Sequence, residues 1–280
     1  MSVKISADST CDMPKELCEK YDISITPLYV VRDGVSYKDG IEIGRREIYA
    51  HFDATGRTCS TAAVSVSDYL EFFSEQLKTH ESVVHFHISS EMSACWQNAC
   101  IAAQELGNVY PVDTRTLCSG MALLMLEAVD MAAQGASGAE IQAAMPALSE
   151  RLDASFVVST LTYLARGGRC SSVTALGANL LNLKPCIELR GGFMEVGKKY
   201  RGSLQKVLPA YVRDRLAGGH ADPRRLFLVN SGGISDELVQ ATLRDVTAQQ
   251  SFDEIHLALA GSTICSHCGP GTLGVMFFRK

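Results

Sequence analysis

The sequence predicts an α/β protein in two parts, and three observations carry that expectation. Short β-branched runs alternate with longer helix-patterned segments, the signature of mixed α/β layers. The chain has 280 residues, more than the roughly 100–200 of one typical domain. The pattern also changes character near Asp153, which places the expected domains at 1–153 and 154–280.

Val3–Ala7 reads as a first strand, followed by the polar Asp8-Ser9-Thr10 and a helix near Pro14. Ile23–Val31 and Val35–Tyr37 read as a hairpin around Arg32-Asp33-Gly34. Helices are expected over Arg46–Asp53 and over Asp68–Thr79, the latter capped by Ser67. Val83–Ile88 is a strand, Ser93–Leu106 its helix, and Val109–Val112 the next strand. Thr116–Gln134 and Ala139–Leu152 are helical, broken by Gly135 and Gly138. Beyond the expected boundary, Ser155–Thr160 and Pro185–Val196 are strand-like, the second turning at Gly191-Gly192. A helix over Ser203–Leu216 follows. Leu226–Asn230, Asp236–Gln250 and Ile255–Ala260 then form a β-α-β unit, and the apolar run Leu273–Phe278 is expected to pack.

Composition narrows the function classes. A chain of this length buries roughly three quarters of its unfolded surface without a metal or disulfide staple. Lysine and arginine number 26 against 31 acidic residues, a net charge of −5, whereas duplex-binding proteins usually carry a clustered basic face. Gly120–Ala133 is the most apolar window, yet Glu127 and Asp130 interrupt it and it is too short to span a bilayer. The ten cysteines are irregularly spaced and sit in apolar runs, which favours reduced, buried thiols and a cytoplasmic location.

Four polar clusters lie at element ends, where α/β folds place ligands. Asp8–Asp12 reads as a turn and helix cap or as a site. Thr58–Ser65 is hydroxyl-dense, more than capping needs, yet it also reads as a surface loop. At Ser89–Ser93, Ser93 can cap a helix start or help its free amides hold an anion. In Ser262–Gly271, His267 is of a residue type that titrates near neutral pH and can donate to an anion. Cys265 and Cys268 form a lone C-x-x-C, half a zinc site or a redox pair, with no second pair to complete a metal site. Arg166-Gly167-Gly168-Arg169 is a cationic turn, but neither a P-loop nor a dinucleotide fingerprint occurs.

Seven short segments in order resemble the DegV family of bacterial fatty-acid-binding proteins. They are Asp8–Pro14, Ser89–Ala99, Val112–Thr114, Leu161–Arg169, Lys184-Pro185, Tyr200–Gly202 and Ser266–Gly271. Two departures stand out. Ala62-Ala63-Val64 replaces most of the family's T-S-Q-P-S core, and Ala94-Cys95 replaces Gly-Thr. The resemblance implies an N-terminal α/β/α domain with a mainly parallel sheet and a C-terminal α/β domain with a mixed sheet. It further implies a long-chain fatty acid whose carboxylate is held by Thr61 and Ser93 and whose tail fills an apolar tunnel. His267, Arg169 and Arg201 would stand behind the head group or on a face shown to a separate ATP-dependent fatty acid kinase, with no cofactor and no metal. Candidate tail-wall residues are Leu117, Met121, Leu123, Leu124, Met125, Leu180 and Leu181, each of which reads more readily as ordinary core. A competing reading makes Ser93, His267 and Asp8 the triad of an acyl hydrolase or transferase, although G-x-S-x-G is absent.

Overall fold

The computed structural model describes residues 2–174 and 183–280. Leu180 and Leu181 lie outside the described residues. The first part of the chain runs β1 (Val3–Asp8), α1 (Lys15–Lys20), β2 (Ser24–Thr26), β3 (Tyr29–Arg32), β4 (Val35–Lys38) and α2 (Arg45–Thr55). It continues through β5 (Ser60–Ala62), α3 (Val66–Gln76), β6 (Ser82–His87), α4 (Cys95–Leu106), β7 (Val109–Asp113), α5 (Ser119–Ala133) and α6 (Gly138–Arg151). There follow β8 (Leu152–Val157), α7 (Thr162–Gly167), α8 (Ser171–Thr174), β9 (Leu183–Arg190), β10 (Phe193–Arg201) and α9 (Leu204–Leu216). The last elements are β11 (Ala221–Asn230), α10 (Asp236–Gln249), β12 (Glu254–Leu259), α11 (Ser262–Cys268) and β13 (Leu273–Arg279).

Among the described residues three sheets form. Strands β2-β1-β6-β7 form a wholly parallel sheet. Both inner strands are buried on both faces, so β1 takes its polar Lys4, Ser6 and Asp8 inside and β6 its His85 and His87. Strands β10-β9-β8-β13-β11-β12 form a mixed sheet, in which only β11 and β12 pair in parallel. Strands β4-β3-β5 make a small antiparallel sheet over its own cluster of Val30, Ile43, Ile48 and Cys59. The expected α/β class, with its parallel and mixed sheets, is what the chain adopts.

Helix α5 joins the layers. It is buried continuously from Ser119 to Leu126, as befits a helix that is apolar on all sides. The two acids that interrupt its apolar run face arginines from β11: Arg225 meets Glu127 at 3.3 Å and Asp130 at 2.7 Å. No helix among the described residues is long and apolar enough to cross a membrane.

Several expected elements differ in detail. Ile23–Val31 is not one strand: it divides around Pro27-Leu28 into β2, which joins the parallel sheet, and β3, which joins the antiparallel one. Helix α3 is capped by Ser65 rather than Ser67. The Ser65 hydroxyl accepts from the Asp68 amide at 3.1 Å, while the Asp68 carboxylate accepts from the Ser65 amide at 3.2 Å. The strand expected at Ser155–Thr160 begins and ends three residues earlier, at Leu152–Val157. Gly138 opens α6 instead of breaking the chain before it, because Ser137 supplies the cap.

Candidate functional site

In the parallel sheet the chain runs outward from β1 to β2 on one side and from β6 to β7 on the other. The crevice at the carboxyl ends of β1 and β6 is thus the topological switch point, where open α/β sheets place ligands. A cavity of about 220 Å³ lies beside the loop that leaves β6, with Ile88, Met92, Ser93 and Ala94 in its wall. Strand β5 adds Thr61, β10 adds Met194, and α11 adds Thr263, Ile264, His267 and Cys268. Leu28, Leu117 and Arg169 also line it. Apolar side chains dominate the wall.

Its polar groups converge from distant parts of the chain. The Thr61 hydroxyl and His267 Nε2 are 2.8 Å apart, across 206 residues of sequence. Burial, reinforced by the nearby Arg169 guanidinium, pushes the His267 imidazole down to about 4. It is therefore neutral at pH 7, which corrects the expectation of a near-neutral titration. Its Nδ1 is shut off from solvent without a partner among the described residues. Gly167 makes room for that ring, since a Cβ there would run into Nδ1. The next residue, Gly168, closes α7 in the left-handed conformation at φ +68°. These two demands give the Arg-Gly-Gly-Arg turn its glycines.

Ser93 accepts from the Cys95 amide at 3.3 Å and donates to the Cys95 thiol at 3.2 Å, so it ties the start of α4 while lining the cavity. Arg169 is exposed at the rim and donates to the Gly167 carbonyl at 2.9 Å. Arg201 is exposed at the end of β10 and does not line the cavity. Four of the five anticipated residues, Thr61, Ser93, Arg169 and His267, thus come together.

Thr263 was not anticipated. It is 3 % exposed, and its hydroxyl has no partner among the described residues. Its place in the polar Ser262–Gly271 cluster, four residues before His267, is the signal that points to it.

Several other hydroxyls of the polar clusters serve the fold. Ser89 donates to the Gly192 carbonyl at 2.8 Å and Ser90 to Asp113 at 2.6 Å. Asp39 accepts from the Ser262 amide at 2.8 Å, the Thr263 amide at 3.3 Å and the Ser9 hydroxyl at 2.9 Å. Asp12 accepts from the Gly261 amide at 2.7 Å. The Asp8–Asp12 turn and Asp39 therefore fix the start of α11, which carries Thr263 and His267.

No hydrolytic triad is assembled. Asp8 accepts from the Thr10 amide at 3.0 Å and the Ile88 amide at 2.9 Å, not from His267. His267 Nε2 faces Thr61, and the Ser93 hydroxyl faces Cys95. Cys265 and Cys268 are buried free thiols, and burial pushes Cys265 up to about 12. Among the described residues no group of three or more His, Cys, Asp or Glu side chains is placed to hold a metal ion. Of the described candidate tail-wall residues, only Leu117 lines the cavity; Met121, Leu123, Leu124 and Met125 are fully buried in the core.

Fold and site together define a class: an α/β protein with an apolar cavity at a sheet switch point, tipped with hydroxyls and one neutral imidazole. The chain belongs to the DegV family, described as a family of uncharacterised proteins, whose model matches residues 2–280. A DegV domain-containing protein of Deinococcus radiodurans is 33% identical over 280 residues, covering 98% of each chain. A fatty acid-binding protein of Thermotoga maritima is 32% identical, covering 98% of this chain and 96% of its own. Among solved structures, a fatty-acid-binding DegV protein from Thermus thermophilus superposes with TM-score 0.89 at 31% identity over the whole of both chains. A stearic-acid-binding protein from Eubacterium ventriosum gives TM-score 0.86 at 26% identity, covering 99% of this chain and 98% of that one.

Proposed function

We propose that this protein binds a long-chain fatty acid without chemically altering it, and presents the carboxylate to a separate ATP-dependent fatty acid kinase. The observation that carries the reading is the placement of Thr61, Ser93, Thr263 and His267 on one mostly apolar cavity. A carboxylate taken from water needs hydrogen-bond donors. The hydroxyls of Thr61, Ser93 and Thr263 can supply them, and neutral His267 donates from one ring nitrogen without an ion pair that would lock the anion in place. The Thr263 hydroxyl is without a partner among the described residues and gains one when the head group arrives.

The tail supplies the driving force. At about 0.8 kcal/mol per buried methylene, about fourteen of them contribute on the order of 11 kcal/mol before ordering and association costs. In this reading the tail extends from the Thr61 cavity past Leu117, Ile264 and Cys268. Those residues also border a second, smaller void lined by Phe156, Val229 and Met276. Arg169, exposed at the rim, and Arg201, exposed on β10, form the face offered to the kinase. Residues 1–153 and 154–280 act as two domains that share the ligand. The binding reading is tested by organic extraction and mass spectrometry of protein purified from lipid-replete cells. About one fatty acid per chain is the expected result, and an extract empty of lipid overturns the reading.

A further inference from the structure

We propose that a second cleft, between α6, β8 and the β9–β10 turn, is a binding site for an uncharged, hydroxyl-rich small molecule of monosaccharide to nucleoside size. The cleft measures about 810 Å³ and shares no lining residue with the Thr61 cavity. That volume lies within the roughly 300–1,000 Å³ range of small-molecule sites.

Its charges are balanced, with four carboxylates and four guanidinium groups in the lining; three of these arginines already pair with three of the acids, and Arg279 donates to the Glu150 and Arg151 carbonyls. Arg215 bridges Asp153 and Glu188, the latter at 3.4 Å. Arg190 holds Glu188 at 2.6 Å, and Arg115 stands 3.6 Å from Asp113. An entering anion meets the carboxylates and must break these pairs to reach a guanidinium; a cation meets the reverse. Removing one partner from the largely buried Arg215–Asp153 pair is costly, so a charged ligand that reaches it is disfavoured on both counts.

What the cleft lacks is neutral hydrogen-bond partners. Thr116 Oγ1, Ser149 Oγ and Arg215 Nε are all shut off from solvent and have no partner among the described residues, and all three residues line this cleft. Thr116 is 2 % exposed and the Arg215 side chain 19 %. A buried polar group without a partner is expensive. A polyhydroxyl molecule both donates and accepts, so it can complete the two hydroxyls while leaving the ion pairs of Arg215 intact. The two hydroxyls reach it by rotation about χ1. Pro146, Leu152 and Leu189 supply apolar surface for the C–H face of a ring.

The test is calorimetric titration with glucose, myo-inositol and adenosine, with inorganic phosphate and a linear diamine as charged controls. At least one uncharged probe binds in the millimolar range or tighter, and neither control competes with it. Thr116→Val and Ser149→Ala each weaken that binding about 2- to 12-fold and leave fatty-acid content unchanged. Neither lowers the melting temperature, since each removes a hydroxyl that has no partner in the fold. If none of the three probes binds, if phosphate or the diamine binds more tightly, or if both variants bind like the parent protein, the site is not what its lining indicates.

Discussion

Thr61 and His267 depend on each other. Thr61→Val keeps the shape of the side chain but leaves both His267 nitrogens without a protein partner. We expect it, and Ser93→Ala, to weaken fatty-acid retention by roughly 1–3 kcal/mol each, read as dissociation constants for a fluorescent fatty acid. Arg169→Ala is expected to slow turnover by the kinase more than it weakens fatty-acid binding; equal losses in both assays would remove the rim role assigned to it. His267 also sets a pH signature. Its imidazole stays neutral in the fold down to about 4, whereas the unfolded chain takes up the proton near 6.5. The unfolded state thus binds more protons across that window, and this contribution to stability falls as the pH falls. A His267→Gln variant lacks the effect. The gap between parent and variant in urea unfolding should therefore shift in favour of the variant by up to about 3 kcal/mol from pH 6.5 to 4.

At the scale of elements, what could be read from sequence followed from how each segment is buried. Strands β1 and β6 announce themselves through the β-branched and aromatic residues Val3, Ile5, Val83, Val84 and Phe86, although buried polar residues stand between them. Strand β5 is Ser60-Thr61-Ala62, an edge strand with little apolar content, so nothing in its composition separates it from a loop. Thr61 could be named only through resemblance to a family. Helix α11 was hidden for another reason: its seven residues read Ser-Thr-Ile-Cys-Ser-His-Cys, and its start is fixed by Asp12 and Asp39, more than two hundred residues earlier. The second cleft was invisible because its arginines and acids are spread from Asp113 to Arg279. The same anchoring yields a prediction. Asp39→Ala strips the partner from two amides of α11 and from the Ser9 hydroxyl. It should cost about 2–3 kcal/mol in denaturant unfolding and weaken fatty-acid binding in parallel. Ser65→Ala, which removes only the α3 cap, should cost about 1 kcal/mol and leave binding nearly unchanged.

Across the whole molecule, the parallel and mixed sheets meet through α5 and α6, which pack on both, and the acids of α5 are held by arginines of β11. Replacing both Arg224 and Arg225 with Met should destabilise the protein by roughly 3 kcal/mol in thermal unfolding, because the largely buried Glu127 then loses both of its guanidinium partners. The order of the mixed sheet carries its own consequence. Strand β13, last in the chain, sits in the interior between β8 and β11. A ribosome making this protein therefore delivers the keystone after every stone it must hold. Until residues 273–279 emerge, β8 and β11 each present an open, apolar flank with nothing to zip against, and the nascent chain must be shielded or finished quickly.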